Sequence, residues 1–206
     1  MEKYLERAVS FPQYIKLIDD LLAEGKTTGT NQSEVMLGYG KLNRQRMSRL
    51  EKTVQLGDDI KQAAGVVRRK QIWLIITEGW CGDAAQNIPV IEKIAAESDK
   101  IETLYVLRDE NLDLMDQFLT KGARAIPKLI MLDADTLEVL ATWGSRPAPA
   151  QELQNSLKNS GVEKAEISEK LQRWYNEDHG RSLQLEFVEL IRTVDGSLRT
   201  ATRKAA

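Results

Sequence analysis

Residues 72–90 read IWLIITEGWCGDAAQNIPV. Five apolar residues, Ile72-Trp73-Leu74-Ile75-Ile76, run into Thr77-Glu78-Gly79, and a helical pattern begins after Trp80-Cys81-Gly82-Asp83-Ala84. A short apolar run rich in isoleucine and closed by glycine has the form of a buried strand, whereas Ile88, Ile91, Ile94 and Ala95 recur at helical spacing. The stretch therefore predicts a strand over 72–77, a turn, and a helix over 81–98 that Pro89 kinks. Cys81, the only cysteine in the chain, falls at the junction. There the unpaired N–H groups of a helix terminus can stabilise a thiolate.

Downstream, strand and helix continue to alternate. The pattern predicts a strand over 101–107, then a helix over 111–119 with Leu112, Met115, Phe118 and Leu119 inward. A loop from Lys121 to Pro127 leads to a strand over 128–132. After a turn at 133–136, where Asp133 and Asp135 read as turn residues, come a strand over 137–143 and a helix over 149–158. The order is β-α-β-α-β-β-α, an α/β pattern. Its first two units can pair in parallel through crossovers, and the turn at 133–136 makes an antiparallel hairpin.

Upstream the chain reads as helix. Residues 1–26 carry an apolar stripe of Phe11, Tyr14, Ile15, Ile18, Leu21 and Leu22, with Ser10 as N-cap and Pro12 in the first turn. Ser33 caps a longer helix with Met36, Tyr39, Asn43, Met47, Leu50 and Val54 on one side and Lys41, Arg44, Arg46 and Arg49 on the other. Gly38 and Gly40 count against it by about 1 kcal/mol each. A short helix over 58–69 follows. Beyond Gly161, Ile167, Leu171, Trp174 and Tyr175 make one helical stripe. Leu183, Phe187, Leu190, Ile191 and Val194 make another, although Leu183, Leu185 and Phe187 also alternate as in a strand. The tail from Leu198 reads as disordered. Three segments result: a helical extension over 1–70, an α/β domain over 71–160, and a helical extension with tail over 161–206.

Composition narrows the function. A charge of −2 gives no reason to expect nucleic acid as partner. No apolar run is long enough to span a membrane, and Met1-Glu2-Lys3-Tyr4 opens an amphipathic stretch rather than a secretory signal. One cysteine excludes a disulfide framework and a multi-thiolate zinc site, and a cytoplasmic setting, where thiols stay reduced, is expected.

The order of elements, Trp80-Cys81-Gly82 after the first strand, and Ile126-Pro127 before the third together resemble the thioredoxin superfamily, whose motif is Trp-Cys-Gly-Pro-Cys. More narrowly, the chain is similar to a bacterial group of thioredoxin-like proteins with Trp-Cys-Gly-Asp-Ala. The resemblance, which covers about 71–160, implies a thioredoxin fold with a central four-stranded mixed sheet. It makes Cys81 the attacking thiol and Pro127 the family's cis proline. With Ile126, Pro127 would form a substrate edge beside Trp80, and Gly82 and Asp83 would modulate the thiol. Two departures matter. Ala84 replaces the second cysteine, so no internal disulfide can form. Ile75 stands where thioredoxins often carry a buried acid.

Two functions are compatible with these residues. Cys81 can act as a monothiol that forms mixed disulfides and needs an external resolving thiol, from a protein or a low-molecular-weight compound. Alternatively the fold is a non-catalytic module that binds a partner protein through the same groove or through the basic face from Lys41 to Arg49. Arg108, Arg124 and Arg146 lie in loops that can reach the thiol end of the sheet, where each could offset Asp83, though each singly reads first as a surface arginine. No metal or cofactor is expected. Glu78 occupies the position where peroxiredoxins place a threonine, and Cys81-Gly82-Asp83-Ala84 lacks the phenylalanine and serine of cluster-binding monothiol glutaredoxins. His179 reads as a loop histidine with no thiol partner.

Overall fold

The computed structural model describes the backbone of residues 1–205 and side chains through Gly196. Four helices, α1 (Glu2–Leu5), α2 (Phe11–Ala23), α3 (Glu34–Thr53) and α4 (Asp58–Gly65), precede β1 (Gln71–Thr77). The helix α5 (Gly82–Ala95) leads to β2 (Ile101–Leu107), and α6 (Leu112–Met115) precedes β3 (Lys128–Asp133) and β4 (Val139–Gly144). Three helices follow, α7 (Ala148–Asn159), α8 (Lys164–Asp178) and α9 (Arg181–Ala205).

The sheet order is β2-β1-β3-β4. β1 is interior: Ile75 lies opposite Tyr105 of β2 in parallel and opposite Leu129 of β3 in antiparallel register. Trp73, Leu74, Ile75 and Ile76 are all without exposure, as a strand covered on both faces requires. The turn between β3 and β4 is held by Asp133, whose carboxylate accepts the N–H groups of Asp135 at 3.0 Å and Thr136 at 3.1 Å.

Pairing departs from the sequence reading at the second crossover. β1 and β2 are parallel, but β3 starts at the end where β2 finishes and runs back antiparallel beside β1. The predicted helix over 111–119 shrinks to the single turn α6. Its backbone tightens after Met115, with Phe118 N–H donating to the Met115 carbonyl at 3.0 Å. Thr120 and Ala123 then pair across a turn in which Lys121 and Gly122 both have positive φ. A hairpin turn of that kind needs positive φ at both central positions. The helix thus ends before Leu119 and the chain reverses just after it, and Leu112 and Leu119 remain exposed instead of facing inward.

The predicted helix over 1–26 is also interrupted. Val9 bridges to Tyr105, donating at 3.0 Å and accepting at 2.8 Å, which closes part of the free edge of β2. Ser10 then restarts the helix, its N–H held by the Gln13 side chain at 2.8 Å in a capping box.

The long helix predicted after Ser33 survives both glycines. Met36 N–H donates to Ser33 Oγ at 3.4 Å, and a Cβ at Gly40 would lie 2.8 Å from Thr27 Oγ1, so the missing side chain lets α3 close on the preceding loop. α3 packs on α5, whose residues from Ala84 to Ile91 are all buried, because helices cover the side turned from the sheet.

At the C-terminus, helical period prevails over alternation. Leu183, Phe187, Ile191 and Val194 are buried while Leu185 is exposed. Phe187 sits edge-on to Trp73 and Trp143, each at 5.5 Å. Instead of a disordered tail from Leu198, α9 continues to Ala205. A single apolar core joins residues from Tyr4 to Val194, and a smaller one forms between α7 and α8 around Ala150, Ile167 and Leu171.

Candidate functional site

Cys81 is the N-cap of α5. Its Sγ accepts the Ala84 N–H at 3.4 Å and donates to the Ile126 carbonyl at 3.3 Å. The Ile126–Pro127 peptide is cis, and so is Gly144–Ser145. Ile126 and Pro127 are both buried, and the Ile126 carbonyl is occupied by the thiol. Gly144 backs directly onto the Pro127 carbonyl at φ 131°, where any Cβ would collide.

The thiol is only 8% exposed. Burial, followed by the charge of Asp83, pushes its pKa up to about 12, against the opposing pull of the Ala84 and Asp83 N–H groups and Arg146. Desolvation therefore outweighs the helix terminus. Between the helix terminus and Asp83, which the sequence set against each other, burial tips the balance to the neutral thiol, which donates to the Ile126 carbonyl.

Arg146 is the arginine that reaches the thiol. It grips Asp83 through two nitrogens, with Nε at 3.1 Å from Oδ1, and its Nη1 donates to Gln151 at 2.9 Å and Gln154 at 2.6 Å. The Tyr175 hydroxyl completes the shell, donating to Asp83 Oδ1 at 2.8 Å and accepting from Asn87 Nδ2 at 3.2 Å. Arg108 stacks 4.8 Å over the Trp80 ring and pairs with Asp109 at 2.7 Å. Arg124 lies on the surface, paired with Asp116 at 2.6 Å, and does not join the site. Beneath Trp80, Glu78 is fully buried, and burial raises its pKa. Its Oε1 accepts the Asp109 N–H at 2.9 Å.

A cleft of about 880 Å³ opens in front of Cys81, between α3, the start of α5, and α7 with α8. Trp80, Cys81, Gly82, Asp83 and Arg146 line it; Ile126, Pro127, Arg108 and Arg124 do not. Three further residues, none of which the sequence placed beside the thiol, shape it: Asn43, Tyr175 and Arg46, the last read from the sequence only as part of the basic face. Asn43 on α3 donates to the Trp80 carbonyl at 2.8 Å and accepts from Arg46 Nη1 at 2.9 Å. Tyr175 reaches in from α8. The legible signal was Asn43, a polar residue on an otherwise apolar helix stripe. The basic face of α3 is not continuous: Arg44 pairs with Asp19 at 2.8 Å and Arg49 donates to Asn176 at 3.2 Å, while Arg46 turns into the cleft. Among the described residues no group of three or more His, Cys, Asp or Glu side chains could hold a metal ion, and no helix is long and apolar enough to cross a membrane.

No curated protein matches the chain. Among solved structures, an HIV epitope scaffold superposes with a TM-score of 0.53 at 16% identity, covering 91% of this chain and 99% of its own. A protein of unknown function from Pseudomonas aeruginosa gives a TM-score of 0.49 at 15% identity, covering 92% and 99%. The first likeness supports the fold alone. A family model described as Thioredoxin matches residues 29–158, well over half of the chain, from the loop before α3 to the end of α7. With a four-stranded mixed sheet, α5 rising from the cysteine and helices on both faces, the chain belongs to this thioredoxin family.

Proposed function

We propose that the protein is a ligand-binding thioredoxin-fold protein that uses the cleft headed by Cys81, with the thiol as a neutral polar contact in the resting state. The carrying observation is that a nearly inaccessible thiol, held neutral, stands at the head of an 880 Å³ cleft, a size suited to a small ligand. Magnitudes favour binding over exchange. A pKa of about 12 instead of 9.0 leaves about a thousandfold less thiolate at neutral pH. The greater nucleophilicity of a more basic thiolate recovers only about 16- to 32-fold. Attack on a disulfide is then about 30- to 60-fold slower than by an ordinary thiol.

Monothiol exchange is the second reading, supported by the placement of Trp80 and Cys81 on the cleft wall. In it the Cys81 thiolate attacks one sulfur of a bound disulfide, the other sulfur leaves as a thiolate, and a second thiol must attack the mixed disulfide to free Cys81. The rate of the chain with neutral 4,4′-dithiodipyridine at pH 7, native against urea-unfolded, separates the two. Binding predicts that the native thiol reacts at least tenfold more slowly and that Cys81→Ser retains ligand affinity in the cleft. A native thiol that reacts faster than the unfolded one reverses the ranking in favour of exchange.

A further inference from the structure

Arg46 is half-buried in the cleft wall, and burial followed by the charge of Arg49 lowers its pKa, with no carboxylate acting in the other direction. Its Nη1 donates to the neutral Asn43 side-chain carbonyl. Every other arginine near the thiol has an anion: Arg146 has Asp83 and Arg108 has Asp109. Arg46 passes over the start of α5, where a Cβ on Gly82 would lie 3.8 Å from its Nη1. A partly desolvated guanidinium with donors to spare, locked by Asn43, is preorganised for a carboxylate, sulfonate or phosphate.

The remainder of the cleft has a different character. On α3, Tyr39 and Leu42 stand 46% and 42% exposed, two turns and one turn before Arg46, and Ile167 and Leu171 of α8 supply apolar surface opposite. Lys158 and Lys164 stand at the exposed rim and make no ion pair among the described residues, whereas Glu169 is engaged by Arg173 at 3.4 Å. The cleft thus combines apolar walls with uncompensated positive charge, and its two carboxylates, Asp83 and Glu169, are already paired.

We propose that the cleft takes a small amphipathic organic anion, an apolar body lying along Tyr39, Leu42 and Ile167 with a single anionic group held by Arg46. The inference rests on the binding reading given above and specifies its ligand class. Two probes that differ only in one anionic substituent test it on the full chain: 8-anilino-naphthalene-1-sulfonate, and N-phenyl-1-naphthylamine, which has the same rings without the sulfonate. Fluorescence titration should give one site for the sulfonate with at least tenfold higher affinity than for the neutral amine. Arg46→Gln, which can still donate to Asn43, should abolish that tenfold advantage and leave the amine within twofold. Arg46→Lys should retain part of it, and Leu42→Asp should weaken both probes at least tenfold.

Equal affinity for the two probes, or an unchanged sulfonate affinity in Arg46→Gln, overturns the anion assignment while leaving an apolar binding cleft. Failure of both probes to bind, or binding indifferent to Leu42→Asp, overturns the cleft reading together with it. Circular dichroism melts of the variants exclude loss of fold as the cause.

Discussion

Asp83 lies two residues after Cys81, yet its carboxylate is turned into Arg146, with Nε 3.1 Å from Oδ1, across 63 positions of sequence. The pair is nearly dry, with side chains 12% and 15% exposed. It welds the start of α5 to the loop before α7 and sets part of the field at the sulfur. Removing one member of such a pair leaves a buried charge uncompensated.

Arg146→Met should therefore destabilise the protein by about 3 kcal/mol. It should also raise the Cys81 pKa further, because Arg146 is a cation that favours the thiolate. Chemical denaturation reads the first effect, and iodoacetamide alkylation at fixed alkaline pH reads the second as a slower rate. A faster rate contradicts the field described here.

Asp83→Asn should act in the opposite direction on the thiol. The carboxylate charge is the second largest influence raising the Cys81 pKa, after burial. Its removal should speed alkylation at pH 8 to 9 several-fold, while burial keeps the pKa above that of a free cysteine. An alkylation rate that falls or stays constant contradicts the assignment.

Stability should decline on the alkaline side through Cys81. The unfolded thiol titrates near 9.0 and the folded one near about 12. Between these values the native chain holds a proton that the unfolded chain has released, so stability present below pH 9 is lost as pH rises. Cys81→Ser should lose less stability than the parent between pH 8 and 10.5, read as the shift of urea midpoints. Tyr105 and Tyr175, also buried with raised pKa values, contribute in both proteins, and Tyr14, which the Cys81 charge helps to raise, contributes less in Cys81→Ser, in the same direction as the expected difference.

Gly144→Ala should cost at least about 3 kcal/mol, from left-handed backbone strain together with overpacking against the Pro127 carbonyl. The displaced Pro127 loop should also release the Cys81 thiol from the Ile126 carbonyl. Faster alkylation together with a lower melting temperature is the expected signature. An alanine variant as stable as the parent contradicts the close approach.

Phe187→Ala should cost about 3–5 kcal/mol, since the ring is without exposure between Trp73 and Trp143. The loss, measured by urea denaturation, tests whether α9 belongs to the core of the sheet. A change below about 1 kcal/mol would mean that α9 docks only loosely.

What the sequence determined by itself was local. The apolar run before Gly79, the helical period after Cys81, the Asp133 turn and the Ser10 and Ser33 caps each depend on residues within one or two turns of each other, and each is found in the structure. The second crossover was not legible, because the positive-φ turn at Lys121 and Gly122 overrides an apolar spacing that reads as a longer helix. The site divides the same way. The position of Cys81 at a helix start followed from spacing, but its protonation did not. Burial by surrounding elements, and the pairing of Asp83 with Arg146 and Tyr175, are set by residues 63 and 92 positions away. Whether Arg46 faces solvent or a cleft likewise depends on where α8 packs. Backbone propensity is short-ranged, whereas desolvation and charge compensation are sums over the whole fold, and they decided what the lone thiol is.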